Sequence, residues 1–371
     1  MDQIKNEARQ DTLVSILVLT YNHAKYIEQC LLSLQSISFP SRHIWVLDDG
    51  STDETPDIVR RLAAEGGGVT LLTQANTGGR TALNLQRLLD ESTGKYVMFM
   101  SGDDMVGPGF SIRSMYQLLE ASSRLGLIIP RALMLNSNPA KQVEAMHSNL
   151  MLELLRDGEP ERVLSEHLSK QVSSIFIQGM VIRRDLLDKS GGFDVDLTAD
   201  DYVLVCKIFL TMKKMDMKFY FDEKNFWIYR VHESNIHRNH LRQLTAITEV
   251  VGRYISKEHW DSFDWHVMPM NTFEDLKKAE AIITKNMGPG PSKDIVDKVI
   301  VRSLVSWLEI GNFKEILECF SQARNLIRTR FEITRCLCRA LPKALVGVSL
   351  KNRRISDALR SLSVAAQRRT Q

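Results

Sequence analysis

An α/β fold with a mostly parallel sheet flanked by helices follows from three features of this 371-residue chain. Short apolar runs of strand length alternate with helix-periodic segments, the connections are short, and polar or acidic residues gather where the runs end. Residues 13–20, LVSILVLT, read as a buried strand, and positions 24–35 then put Ile27, Leu31 and Leu34 on one helical face. A second strand at 43–47 runs into Asp48-Asp49-Gly50-Ser51-Thr52-Asp53-Glu54. That segment holds a helix start (Ser/Thr, first-turn acids, then Pro56) leading through Leu62, with Gly66-Gly67-Gly68 ending the helix. Residues 69–73 form a third strand, 82–89 a third helix, 95–100 a fourth strand and 112–121 the next helix. The stretch 133–170 reads as polar and mostly helical. Strand character returns at 174–182, followed by a turn at Gly191-Gly192-Phe193, a helix at 202–212 and an aromatic β-like run at 219–231. From about His240 the chain is helical, with Pro289 and Pro291 marking a linker. The expected division is a catalytic domain at 1–240 and a helical region with a basic tail at 241–371.

The composition, 44% hydrophobic and 25% charged, is that of an ordinary globular protein. Net charge is only +3, but residues 324–371 carry 12 Lys/Arg against 2 Asp/Glu, so the remainder is acidic. Contact with an anionic surface therefore belongs to the tail, and no nucleic-acid partner is expected for the body. Five cysteines without framework spacing read as reduced thiols. The polar N-terminal stretch carries no apolar leader core, and no run reaches the length of a spanning helix. The expected location is cytoplasmic, with peripheral contact on the inner face of a membrane through the tail as an option.

Two adjacent carboxylates, Asp103 and Asp104, stand where the fourth apolar run stops. Ligands of open α/β sheets collect at the carboxyl ends of strands, and a carboxylate there suits a hard divalent cation shared with phosphates. A solvated turn closed by Gly102 and Pro108 is the plainer reading of the pair alone. The first strand–helix turn, Thr20-Tyr21-Asn22-His23, has no glycine, which argues against a dinucleotide fold. Asn76-Thr77-Gly78-Gly79-Arg80 lacks the Lys-Ser/Thr of a P-loop, which excludes a simple NTPase.

Five features in order carry a resemblance. They are a strand ending Thr-Tyr-Asn, a strand ending in DDGSTDET, the loop from Asn76 to Asn84, the Gly102-Asp103-Asp104 end, and Gly191-Gly192-Phe193-Asp194 followed by Asp200-Asp201-Tyr202. Over residues 13–240 the chain resembles the family 2 inverting glycosyltransferases, which have the GT-A nucleotide-sugar-binding fold. The resemblance implies a nucleotide-sugar donor, a UDP-sugar by expectation, with Thr20 and Tyr21 lining the base and ribose pocket. Asp49 would accept a hydrogen bond from the base; as a plain cap it would serve the following helix. Gly78 lets the chain pass close to the nucleotide, and Arg80 either reaches a phosphate or is a solvated charge.

The same resemblance makes Asp103 a ligand of Mn²⁺ or Mg²⁺. His232, in Tyr229-Arg230-Val231-His232, completes the shell, and Asp201 is the general base. Gly179, in Gln178-Gly179-Met180, faces the acceptor, a glycan or lipid-linked molecule. Ser101 departs from the family's pattern, standing where an Asp is usual. That substitution keeps open a second reading, a catalytically degenerate scaffold that binds nucleotide or glycan. A nucleotidyltransferase would require a basic glycine-rich signature near the first strand, and none is present. The apolar stripe among the tail's basic residues suits either a membrane-surface helix or a helix packed on the catalytic domain or on a twin subunit of a homodimer. The resemblance places such enzymes most often in bacterial surface-polysaccharide synthesis.

Overall fold

The four apolar runs of the first hundred residues become the parallel half of one sheet. β1 (Val14–Thr20), β2 (Arg42–Asp48), β3 (Val69–Thr73) and β4 (Tyr96–Ser101) lie in the order β3-β2-β1-β4, all parallel. Their side chains alternate between two cores. Leu17, Trp45 and Phe99 pack on one face with the helices Thr81–Glu91 and Asp201–Lys214, and Ile16, Val46 and Met98 pack on the other with the helix Ile27–Gln35. Continuous apolar runs are what a strand covered on both faces needs. The computed structural model describes residues 13–135, 144–169, 175–199, 201–233, 235, 239–254, 269–288 and 292–310, and single positions at 312, 314, 315, 318 and 319.

The other half of the sheet departs from the mostly parallel expectation. β5 (Met105–Val106), β6 (Leu125–Leu135), β7 (Glu144–Ala145), β8 (Val181–Arg183) and β9 (Lys218–Arg230) extend it as β4-β8-β6-β9-β5, with β7 on β6. β4–β8, β6–β8, β6–β7 and β5–β9 are antiparallel, so the sheet is mixed. β6 occupies residues that the sequence left unassigned or read as polar and helical. Pro130 lacks the amide N–H that a ladder needs and argues against a central strand. The fold accommodates it by an irregularity: Pro130 pairs with Asp222 but Arg131 with Phe226. Asp222 Oδ1 accepts the backbone N–H of Lys224 (3.0 Å) and Asn225 (3.3 Å), which settles the bulged residues. The expected strand at 174–182 shrinks to Val181–Arg183 with a single bridge from Gln178 to Phe99, because Gly179 turns the chain at φ +73°.

Contacts divide the chain into two units, Met1–Arg238 and Asn239–Gln371. In the second, the helices His240–Tyr254, Phe273–Met287 and Ser292–Glu309 bury Leu244, Val251, Ile283, Val299 and Trp307. Trp307 Nε1 donates to Met270 O at 2.8 Å. Among the described residues no helix is long and apolar enough to cross a membrane. Pro289, Pro291 and the basic stretch 324–371 lie outside the described residues.

Because β1, β2 and β4 are parallel, their carboxyl ends share one edge. Asp49 N donates to Thr20 O (3.0 Å) and Gly102 N to Leu19 O (2.9 Å), so both acidic segments flank the end of β1. At a strand spacing of about 4.8 Å, Asp49 and Asp103 start from backbones roughly 10 Å apart.

Candidate active site at the strand ends

Asp103 is the centre of a buried polar cluster. Its side chain emerges just after β4, with the residue 6% exposed, and Ser101 Oγ donates to Oδ1. Oδ2 faces two imidazoles, His232 Nε2 at 3.0 Å and His23 Nε2 at 3.7 Å, and Asn235 Nδ2 at 3.5 Å. Asn235 fixes this arrangement by accepting the His232 N–H on Oδ1 (2.5 Å) and donating through Nδ2 to Arg230 O (3.1 Å). Tyr26 stacks on His232 with centroids 4.6 Å apart, and the Arg230 guanidinium lies over Tyr26.

Burial alone would raise the Asp103 carboxyl. The hydrogen bond with His232, the nearby His23 and the Ser101 hydroxyl outweigh it and bring the pKa to about 2. His23 is lowered, chiefly by burial, with Asp103 opposing and His232 assisting. Asp104 behaves oppositely. It is 1% exposed and raised well above the usual carboxylate range by burial and by Asp103, and its Oδ1 accepts the Arg230 N–H at 3.1 Å. Asp104 thus ties β4 to the end of β9, while Asp103 faces the imidazoles.

These donors fit part of a cation's shell. Bonds of about 2.1 Å at right angles put neighbouring ligands ~3 Å apart, and Asp103 Oδ2 and His232 Nε2 have that separation. Among the described residues, no group of three or more His, Cys, Asp or Glu side chains is arranged around a common point. Two protein donors leave most positions of such a shell to oxygens of a ligand and water.

On the other flank Asp49 organises a loop. Its Oδ1 accepts Gln74 Nε2 (2.7 Å) and Thr77 N (3.0 Å), and its Oδ2 accepts Thr77 Oγ1 (2.9 Å). One acceptor position on Oδ2 is left over. Asp49 is therefore not a cap of the helix Thr55–Ala64. Ser51 bonds instead to Asp48, and Thr55 N donates to Asp53 Oδ1 at 3.0 Å. Gly78 takes φ +73°, and a Cβ there would meet nothing within 4 Å, so the loop presents open space. Thr20 Oγ1 is buried with no hydrogen-bond partner among the described residues, and Tyr21 is 44% exposed. Arg80 Nη2 donates to Val195 O at 3.3 Å, an engagement the sequence did not suggest.

Val195 belongs to the segment leading to Asp201. Asp194 pairs with Lys207 (2.8 Å) and Phe193 N donates to Gln86 Oε1 (2.9 Å), so the glycine turn docks on the helix Thr81–Glu91. Asp201, half-buried, opens the helix Asp201–Lys214. Gly179 packs tightly: a Cβ would meet Pro130 Cγ at 3.0 Å and Trp227 Cδ1 at 3.1 Å.

Sequence reasoning missed His23, Tyr26 and Asn235. His23 follows Asn22 directly, and a polar residue at a strand end was the available signal. Asn22 itself takes φ +52° while its Oδ1 accepts Thr52 N at 2.8 Å, which turns His23 back toward β4. Asn235, three residues after His232, carried no signal.

The sequence model described as glycosyl transferase family 2 matches residues 15–189. An uncharacterized glycosyltransferase of Nostoc sp. is 24% identical over 258 residues, covering 64% of this chain and 69% of that protein. The uncharacterized glycosyltransferase YibD of Escherichia coli is 35% identical over 106 residues, covering 29% of this chain and 29% of that protein. The chain thus spans less than a third of one of these relatives. Among solved structures, the mannosyltransferase PcManGT of Pyrobaculum calidifontis, in complex with GDP-Man and Mn²⁺, aligns with TM-score 0.46 at 19% identity. The alignment covers 91% of this chain and 88% of that one.

Proposed function

We propose that the chain, whose residues 15–189 match the glycosyl transferase family 2 model, transfers a sugar from a nucleoside-diphosphate sugar, in our reading a UDP-sugar, to an acceptor hydroxyl with inversion. The observation that carries this reading is the shared edge where the Asp49 loop and the Asp103 cluster flank the end of β1.

The nucleoside lies on the Asp49 flank. The remaining acceptor position on Oδ2 takes an N–H from the base, Tyr21 offers an exposed ring, and Gly78 leaves room for close approach. Asp103 and His232 would hold Mn²⁺ or Mg²⁺, which when bound offsets the charge of the departing diphosphate. Asp103 is suited to that role because its carboxyl stays ionised down to about 2. Asp201 takes the proton from the acceptor hydroxyl, whose oxygen bonds to the anomeric carbon. The electron pair of the cleaved bond leaves with the diphosphate. A carboxylate at a helix start is favoured by the unpaired N–H groups of the first turn. The acceptor we propose is a glycan or lipid-linked molecule of surface-polysaccharide or glycan synthesis.

Ser101, in place of the family's usual Asp, supports the second reading of a nucleotide-binding scaffold without turnover. One assay separates the two. The purified chain is incubated with UDP- and GDP-sugars and Mn²⁺, and free nucleoside diphosphate is measured over time without acceptor. Slow release from one donor is the expected outcome. Donor binding with no release, with or without glycan acceptors, would establish the scaffold instead.

A further inference from the structure

The β6 side of the same sheet edge holds polar atoms that the described residues do not satisfy. The β6–β7 register pairs Leu133 with Ala145 and Met134 with Glu144, and Met146 N donates to Ala132 O at 3.1 Å. Continued by one residue, this register sets His147 across from Arg131. The Arg131 side chain makes no hydrogen bond or ion pair among the described residues, and its Nε is buried without a partner. The acid whose charge it feels, Glu223, is already engaged by Arg156 through two bonds of 2.8 and 2.7 Å. His147 is 7% exposed and its Nδ1 is likewise buried and unpartnered. Gln178 Oε1 is a third such atom, beside the Gly179 turn that packs on Pro130.

Native folds rarely leave buried polar atoms unpaired, because each forfeits its bonds to water. Three in one neighbourhood, drawn from β6, from the segment leaving β7 and from the segment entering β8, call for a shared occupant. Aromatic rings border them: Phe221 and Phe176 stand 6.1 and 6.3 Å from His147. β6 is parallel to β4, since both run antiparallel to β8, so Arg131 lies toward the edge where Asp103 ends β4. Leu127 and Ile129, odd-numbered like Arg131, pack in the core that also receives Val205 and Ile208 of the helix beginning at Asp201.

We propose that Arg131, His147 and Gln178 form an acceptor subsite for an oxyanion, so that the acceptor carries a phosphate or carboxylate group. The term acceptor rests on the transferase reading, whereas the anion site does not. Arginine's planar fork matches two oxygens of either group, and the imidazole and the amide serve a third oxygen or a sugar hydroxyl. Burial and the neighbouring Arg131 lower His147 to about 4, so at neutral pH Arg131 is the one charged member of the three.

Calorimetry on the full chain without donor tests this. Glucose, glucose 6-phosphate and glucuronate are titrated into wild type, Arg131→Met and Arg131→Lys, with folding checked by thermal melts. Wild type is expected to bind one of the two anionic sugars at least about tenfold more tightly than glucose. Which of them it prefers distinguishes phosphate from carboxylate. Arg131→Met should erase the preference and Arg131→Lys, which keeps charge but loses the fork, should reduce it. If Arg131→Met does not fold, the lysine variant alone decides. Equal affinities for the three sugars, absence of binding to all, or an undiminished preference in the variants would overturn the proposal. Nucleoside-diphosphate release, measured separately, shows whether the transferase reading stands or falls on its own.

Discussion

The two halves of the sheet edge treat polar side chains differently. At the ends of β1 and β2 the amide and carboxylate side chains are engaged within the protein, Asn22 with Ser51 and Thr52, Asp53 with Ala24 and Thr55, and Asp49 with Gln74 and Thr77, while Thr20 Oγ1 and His23 Nδ1 are buried without a partner among the described residues. Around β6, Arg131, His147 and Gln178 each keep a buried atom unpaired among the described residues. A surface whose donors and acceptors are already arranged has little to reorganise when a ligand arrives. One whose groups await partners depends on the ligand to satisfy them. In the proposed function the first flank receives the donor, and the second is where a ligand on the acceptor completes the chemistry.

The largest effect should come from the step that joins the two sides. Asp201→Asn is expected to lower turnover about 10²–10⁴-fold while leaving donor affinity unchanged. Rapid-quench turnover and calorimetric titration of donor measure the two parameters, and near-wild-type turnover would remove Asp201 from the role of base. Next in size, Asp103→Ala should weaken Mn²⁺-dependent donor binding roughly 100-fold, since it removes a buried charge at the centre of the cluster. Donor titrations with and without Mn²⁺ check this. An unchanged titration would dissociate the cluster from the donor.

The same contrast explains what could be read from sequence. The parallel strands were legible because continuous apolar runs identify strands covered on both faces, and their acidic ends followed. β6 was hidden by Pro130, whose cost is absorbed by the bulge opposite it, a tertiary feature with no local sign. Asp103 and His232 were recognisable as motif residues, but their meeting across 129 positions depends on β5 pairing with β9. The Asp49 loop was opaque for a related reason: its partners, Gln74 and Thr77, are 25 and 28 residues away and belong to no periodic pattern. Residues that act through bulges and long-range side-chain pairs leave little local trace.

A smaller, pH-dependent effect belongs to histidines outside the Asp103 cluster. Burial lowers His147 and His167 to about 4, with Arg131 contributing at His147. The unfolded chain binds protons at both positions below about 6.5, and the folded chain does not until about pH 4. Unfolded protein therefore takes up more protons in this window, and stability falls as pH drops through it. The expected loss is about 1–2 kcal/mol for each histidine between pH 7 and 5. Urea melts at the two pH values measure it. His147→Phe should flatten part of the dependence, and an unaltered slope in that variant would show that His147 titrates normally.

The smallest effect discriminates within the flank proposed to receive the donor. Gly50 and Gly78 both take left-handed φ, +74° and +73°, but their surroundings differ. A Cβ at Gly50 would lie 2.5 Å from Asn76 N, against backbone that cannot yield, whereas at Gly78 it meets open space. Gly78→Ala should therefore cost only the left-handed strain, about 1 kcal/mol, and a thermal melt of the free protein should show little else. If the nucleotide runs past this loop, the added methyl occupies space the donor needs, and donor affinity should fall several-fold beyond what the stability change accounts for. Affinity unchanged alongside that small melting shift would mean that the glycine serves the turn alone, and the donor would have to lie nearer Thr20 and Tyr21.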